Sequence, residues 1–249
     1  MCAIGSSTIG SVLGPMLQRA LRAQGITLRY WGQASSGLAR PDHHDWIAVT
    51  PGLMADLRPD VVIVGLGVND SQSLWNDGQW IPRDDARWEE VYARRVDALL
   101  ERAAGPERER LVVWLGPYAY VDWRAEDHLP IVARLQRERI AEFAARGGRA
   151  VYIDVYRATL GDDGRPLREA TLGEEGEPVA VRTEDGIHLT PAAVRWFMAA
   201  PVLAAILPCL GGGGGAERDE DTTPSAEARP RGDADAAPPA VLPASGDEG

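Results

Sequence analysis

The stretch Val61–Asp70, VVIVGLGVND, carries the reading of the fold. Its first six residues, Val61–Leu66, are apolar and rich in branched side chains, as in a strand covered on both faces. Glycine, asparagine and aspartate follow at once, so Asn69 falls just beyond the carboxyl end of that strand. Three runs of the same kind lie to either side: Ile26–Trp31, Leu111–Leu115 and Val151–Val155, with Ala3–Gly5 as a short first strand. Helical patterns separate them. One runs from about Leu13 to Gln24, with Pro15 near its start and Gly25 just past its end. A second covers Pro51–Leu57, with Thr50 as its N-cap and Pro59 beyond its end. The third and fourth cover about Asp85–Ala103 and Leu129–Ala145. Thr190 caps a last helix whose Pro191 suits the first helical position, and Pro201 is expected to kink or break it.

Strands alternating with helices give right-handed crossovers and a parallel sheet with both faces covered. The expected fold class is α/β: a three-layer α/β/α sandwich around a five-stranded parallel sheet of flavodoxin-like type. Such sheets bind ligands at the carboxyl ends of their strands, where the strand order reverses. That edge receives Asn69, the loop "ASSGLARPD" with Gly37, and the loop leaving the first strand, Ala3–Ser11, "AIGSSTIGS".

The chain has 249 residues, and its folded part is expected to end at Leu210. Five glycines follow, then a stretch rich in Asp, Glu, Ala and Pro that cannot bury enough surface to order itself, so residues 211–249 read as a disordered tail. That tail holds nine acids against three arginines and so carries −6 of the net charge of −11. The acidic body argues against nucleic acid, which selects a basic face. All 26 basic residues are arginine. Cys2 and Cys209 lie near opposite ends of the folded part, with no metal-type spacing and no disulfide expected. No run of about 18 apolar residues is read in the chain, so no membrane span is expected. No charged start followed by an apolar stretch is present either. The chain as written is therefore expected to be cytoplasmic, with export the expectation if its true start lies upstream.

"GSSTIGS" alone is compatible with a capped turn, a phosphate-cradling loop or a nucleophile. A serine nucleophile needs a base within reach, an orienter for that base and donors for the oxyanion. Of the four histidines, only His188 has a carboxylate at a short fixed offset, Asp185, across Gly186 in "EDGIHLT". A turn of that spacing lets the carboxylate accept from one ring nitrogen while the other faces outward. Alone, the same residues read equally as a turn into a capped helix. His43 and His44 in "PDHHDW" read as part of a solvated loop rather than as metal ligands.

In chain order, Gly5-Ser6-Ser7, Gly37, Gly67-Val68-Asn69-Asp70 and Asp185-Gly186-Ile187-His188-Leu189 resemble the four sequence blocks of the SGNH (GDSL-type) hydrolases, and more narrowly a bacterial branch of them. The blocks span residues 5–190. The resemblance implies Ser7 as nucleophile, His188 as general base and Asp185 as its orienter. It implies an oxyanion hole made of the Ser7 and Gly37 N–H groups and the Asn69 side chain, with no metal or organic cofactor. Asp70, Trp75, Trp80, Tyr118 and Trp123 fall near the same edge as candidate substrate contacts. The sequence departs from the family where Ser6 stands in place of an aspartate, where Ala193 replaces a glycine, and in its short first strand. The expected activity is hydrolysis of a short-chain, acetyl-type O-ester on a small molecule or saccharide. Acyl transfer by the same triad, and a non-catalytic ligand-binding domain, are the alternatives.

Overall fold

The computed structural model describes residues 1–121, 128–173 and 176–210. Residues 211–249, read from the sequence as a disordered tail, and Trp123 lie outside these described residues. The apolar run Val61–Leu66 becomes strand β3, Val61–Gly65, at the centre of a five-stranded parallel sheet. The other members are β1 (Cys2–Gly5), β2 (Arg29–Gly32), β6 (Leu111–Leu115) and β7 (Ala150–Ile153), in the order β2-β1-β3-β6-β7. This is the flavodoxin-like order, and it reverses between β1 and β3. Short as it is, β1 pairs at every residue with both neighbours, Gly5 standing level with Gly32 and Gly65.

Alternation along the strands divides the core. Cys2, Ile4, Val62, Val64, Val112 and Trp114 point to one face, where they meet Trp88, Tyr92, Val96 and Leu99 of helix α3 (Arg87–Ala104) and Phe143 of α4 (Leu129–Ala145). Ala3, Val61, Ile63, Val113 and Leu115 point to the other, against Leu17 and Leu21 of α1 (Gly14–Arg22). Each such valine, leucine, isoleucine or phenylalanine contributes about 1.5–3 kcal/mol by leaving water. The expected three-layer sandwich is therefore the observed one.

Several local expectations give way. The edge strands are not covered on both faces: Trp31 of β2 and Val151 of β7 are each 38% exposed. Helix α2 runs from Trp46 to Leu57, so Pro51 lies inside it and Thr50 does not cap it. Asp45 is the cap, its carboxylate accepting from the N–H groups of Ile47 and Ala48. Thr50 instead donates its hydroxyl to the Trp46 carbonyl at 2.6 Å, a back-bond of the kind that bends a helix and eases the proline that follows.

Thr190 does cap α6 (Pro191–Val194), but Pro201 does not break what comes after it. A π-helical turn, Arg195–Ala199, carries the chain into α7 (Ala200–Leu210), and this widened turn accommodates the proline ring. The segment Pro191–Pro208, with mean hydropathy 1.4, is long and apolar enough to cross a membrane on length and composition alone. Arg195 alone interrupts its uncharged residues. Here its Val194, Phe197, Met198, Val202 and Ile206 are buried against the sheet. A hairpin of β4 (Leu74–Asn76) and β5 (Gln79–Ile81) was also missed, although Asp77-Gly78, both at positive φ, is the dipeptide such a turn selects. A second small hairpin pairs β8 (Glu169–Thr171) with β9 (Pro178–Ala180). Helix α5 (Val155–Ala158) follows β7 directly, capped by Asp154.

Candidate active site

Ser7 opens the helical stretch that leaves β1, with its side chain half-buried. The turn is tight because glycine makes it so. A Cβ on Gly5 would stand 2.3 Å from the Gly65 carbonyl oxygen, and one on Gly32 would stand 2.2 Å from the Gly10 nitrogen. The Ser6 N–H donates to the Gly65 carbonyl at 3.1 Å, while its own carbonyl accepts from Ile9 and Gly10. Ser6 is 1% exposed, so the residue that replaces the family's aspartate faces the interior. A π-helical turn, Ile9–Leu13, follows before α1 begins.

The second half of the site is the turn Thr183–His188. Gly186 sits at φ 69°, and Thr183 and His188 close the turn by a backbone bond of 2.9 Å. One oxygen of Asp185, Oδ1, accepts from the Thr183 hydroxyl at 2.6 Å and from the N–H groups of Ile187 and His188 at 2.8 and 2.9 Å. The other, Oδ2, lies 2.6 Å from His188 Nδ1. Desolvation works to raise the Asp185 pKa, but the bonds from His188, from Thr183 and from the two N–H groups outweigh it and hold the carboxyl well below the usual carboxylate range. Thr183 was not singled out from the sequence; its one signal was a hydroxyl two residues ahead of the aspartate.

Contacts through Tyr118 and its neighbours join the two halves. Thr8, next to Ser7, has its hydroxyl 3.3 Å from that of Tyr118. The Arg182 guanidinium stands 5.4 Å over the Tyr118 ring and leads directly into Thr183. The Val121 N–H donates to the Gly186 carbonyl at 3.3 Å. Tyr118 is 1% exposed, so it supports the site from beneath instead of contacting a substrate.

Asn69 and Gly37 meet at the same edge. The Asn69 amide donates one N–H to the Ser36 carbonyl at 2.9 Å, and an amide nitrogen has a second hydrogen to offer. Asp70 departs from the sequence reading: it is fully buried and cannot touch a substrate. Burial pushes its carboxyl pKa up, against bonds from Ala39, Leu38 and Tyr92. Trp75 is half-buried, and Trp80 is 49% exposed, with the Arg40 guanidinium 4.8 Å over its ring and Trp75 edge-on at 5.0 Å. His43 and His44 part company: the first reaches the Ala34 carbonyl at 3.0 Å, and the second packs edge-on against Trp46. Among the described residues no three His, Cys, Asp or Glu side chains cluster as metal ligands would.

The fold recurs in solved structures. A lipase/acylhydrolase from Enterococcus faecalis matches with a TM-score of 0.57 at 14% identity, over 84% of this chain and 95% of that one. A GDSL-like lipase from Bacteroides thetaiotaomicron matches with a TM-score of 0.56 at 16% identity, over 84% and 87% of the two chains. A carbohydrate esterase family 3 protein from Talaromyces cellulolyticus matches with a TM-score of 0.57 at 13% identity, over 86% and 100%. The chain thus has the fold of the GDSL-type (SGNH) hydrolases. Its residues 1–204 match the family described as protein of unknown function (DUF459), and it belongs to that family. No curated protein matches the sequence.

Proposed function

We propose that this chain is a serine ester hydrolase. Ser7 Oγ attacks the ester carbonyl, and His188 takes its proton on Nε2, the ring nitrogen that Asp185 leaves outward. The carbonyl oxygen, now negative, is received by the Ser7 and Gly37 N–H groups and the second N–H of Asn69. His188 returns the proton to the departing alcohol, and water repeats the sequence to clear the acyl group from Ser7. The observation that carries this reading is the Asp185–His188 pair, whose carboxylate is held by three further donors. A phosphate-binding loop would give no reason for that arrangement.

For the substrate we propose a short acyl group, acetyl in the first instance, on the oxygen of a saccharide or similar polar molecule. The exposed Trp80 ring beside Arg40 supports a ring-stacking partner, and the Talaromyces protein's description as a carbohydrate esterase points the same way. A fluorophosphonate probe applied to wild type, Ser7→Ala and His188→Ala tests the mechanism. Labelling of wild type that is lost in both variants is the expected result. A folded wild type that takes no label overturns it and leaves the ligand-binding alternative.

A further inference from the structure

Asp70, Tyr92 and Gln136 are each 0% exposed, yet each carries polar atoms. They come from three elements: the exit of β3, helix α3 and helix α4. Gln136 donates through Nε2 to the Tyr92 hydroxyl at 2.9 Å and to the Leu66 carbonyl at 3.2 Å. Tyr92 donates in turn to Asp70 Oδ2 at 2.9 Å. Asp70 Oδ1 accepts the Ala39 N–H at 2.8 Å, and the carboxylate accepts from the Leu38 N–H as well. Arg95 donates to the Leu38 and Ala39 carbonyls at 2.8 and 3.3 Å. The peptides after Gly37 are therefore gripped by a carboxylate on their N–H groups and a guanidinium on their carbonyls. Gly37 lies so close that a Cβ there would stand 2.1 Å from Asp70 Oδ1.

A buried carboxylate is costly unless its lone pairs are met, so a chain of this kind marks a position that the fold holds firmly. What it holds is the backbone next to a proposed oxyanion donor, on a loop outside the main sheet whose Ala39 carbonyl also accepts the Trp75 N–H of β4 at 3.0 Å. We propose that Asp70, fixed by Tyr92, is the positioning residue that aims the Gly37 N–H at the oxyanion. This rests on the esterase reading. Asp70 touches neither substrate nor Ser7; it acts through the loop.

The test uses Asp70→Asn and Tyr92→Phe in the full chain, with p-nitrophenyl acetate as substrate and rates referred to sites titrated by the fluorophosphonate. Asp70→Asn keeps the shape but sets an N–H₂ against groups that donate. Tyr92→Phe keeps the ring stacked on Trp88 at 4.9 Å and removes only the hydroxyl. A misaimed donor lowers kcat by about 10- to 100-fold, with KM held within about twofold. Binding of phenylboronic acid, whose tetrahedral adduct places an oxygen in the same hole, weakens by a similar factor. Purely structural damage would move neither the split between kcat and KM nor the boronate affinity per titrated site. A kcat within threefold of wild type in either folded variant overturns the proposal. So does activity that falls only in step with titrated sites in both variants. A wild type that labels at Ser7 while Asp70→Asn keeps its kcat sinks the positioning role alone. A folded wild type that neither labels nor hydrolyses sinks the esterase reading, and the positioning role with it.

Discussion

Asp185 and His188 are joined through Oδ2 and Nδ1 at 2.6 Å, while the other oxygen of Asp185 is fixed by three donors from the same turn. The four bonds orient the carboxylate toward the imidazole, and the outward nitrogen of His188 is defined by its neighbour. Asp185→Asn should lower kcat by about 10²- to 10⁴-fold, because an amide cannot impose the same tautomer on the ring. Steady-state kinetics on p-nitrophenyl acetate reads this directly. A loss under threefold would remove Asp185 from the orienting role.

The same bonds set a pH dependence. The Asp185 pKa is depressed in the folded chain, so the ion's contribution is present above the ordinary aspartate pKa of about 3.9 and fades only as pH falls through the lower folded value. Carbon-13 NMR of the Asp185 carboxyl should show no titration on acidification from pH 6 to about 4. A midpoint at or above 4 would contradict the four hydrogen bonds assigned to it.

Asn69→Ala removes the proposed side-chain donor and also frees the Ser36 carbonyl it holds. Turnover should fall by about 10²- to 10³-fold. If a folded variant keeps more than a third of the wild-type kcat, the oxyanion is received elsewhere.

Gly37→Ala would force a methyl group onto the buried Asp70 carboxylate, which its donors prevent from retreating. We expect a loss of about 1–3 kcal/mol, read from urea unfolding. A change within about 0.5 kcal/mol would mean that the carboxylate yields, and the close approach would lose its meaning.

Trp80 is half in solvent, so Trp80→Ala leaves the core untouched. If a sugar ring stacks there, KM for an acetylated saccharide should rise by about two- to tenfold. Equal KM values in variant and wild type would end the saccharide proposal at this residue.

The four sequence blocks that mattered here were short ones. Burial on both faces, turn residues and the three-residue step from Asp185 to His188 are local patterns, and they determine the central strands, the layer architecture and the turn that brings carboxylate and imidazole together. Edge exposure of β2 and β7 depended on strand order, which no single strand encodes. The fate of Asp70 depended on Tyr92 and Gln136, which reach it only when α3 and α4 pack on the sheet. Tyr118 likewise became a support for the site because Thr8 and Arg182 close over it from distant parts of the chain. The sequence by itself determined the five strands of the main sheet, the turn from Asp185 to His188 and the order of the candidate blocks, because these follow from neighbouring residues. Only the tertiary structure decided which polar residues face a substrate and which hold the loops that do, because burial is a property of what packs against a side chain.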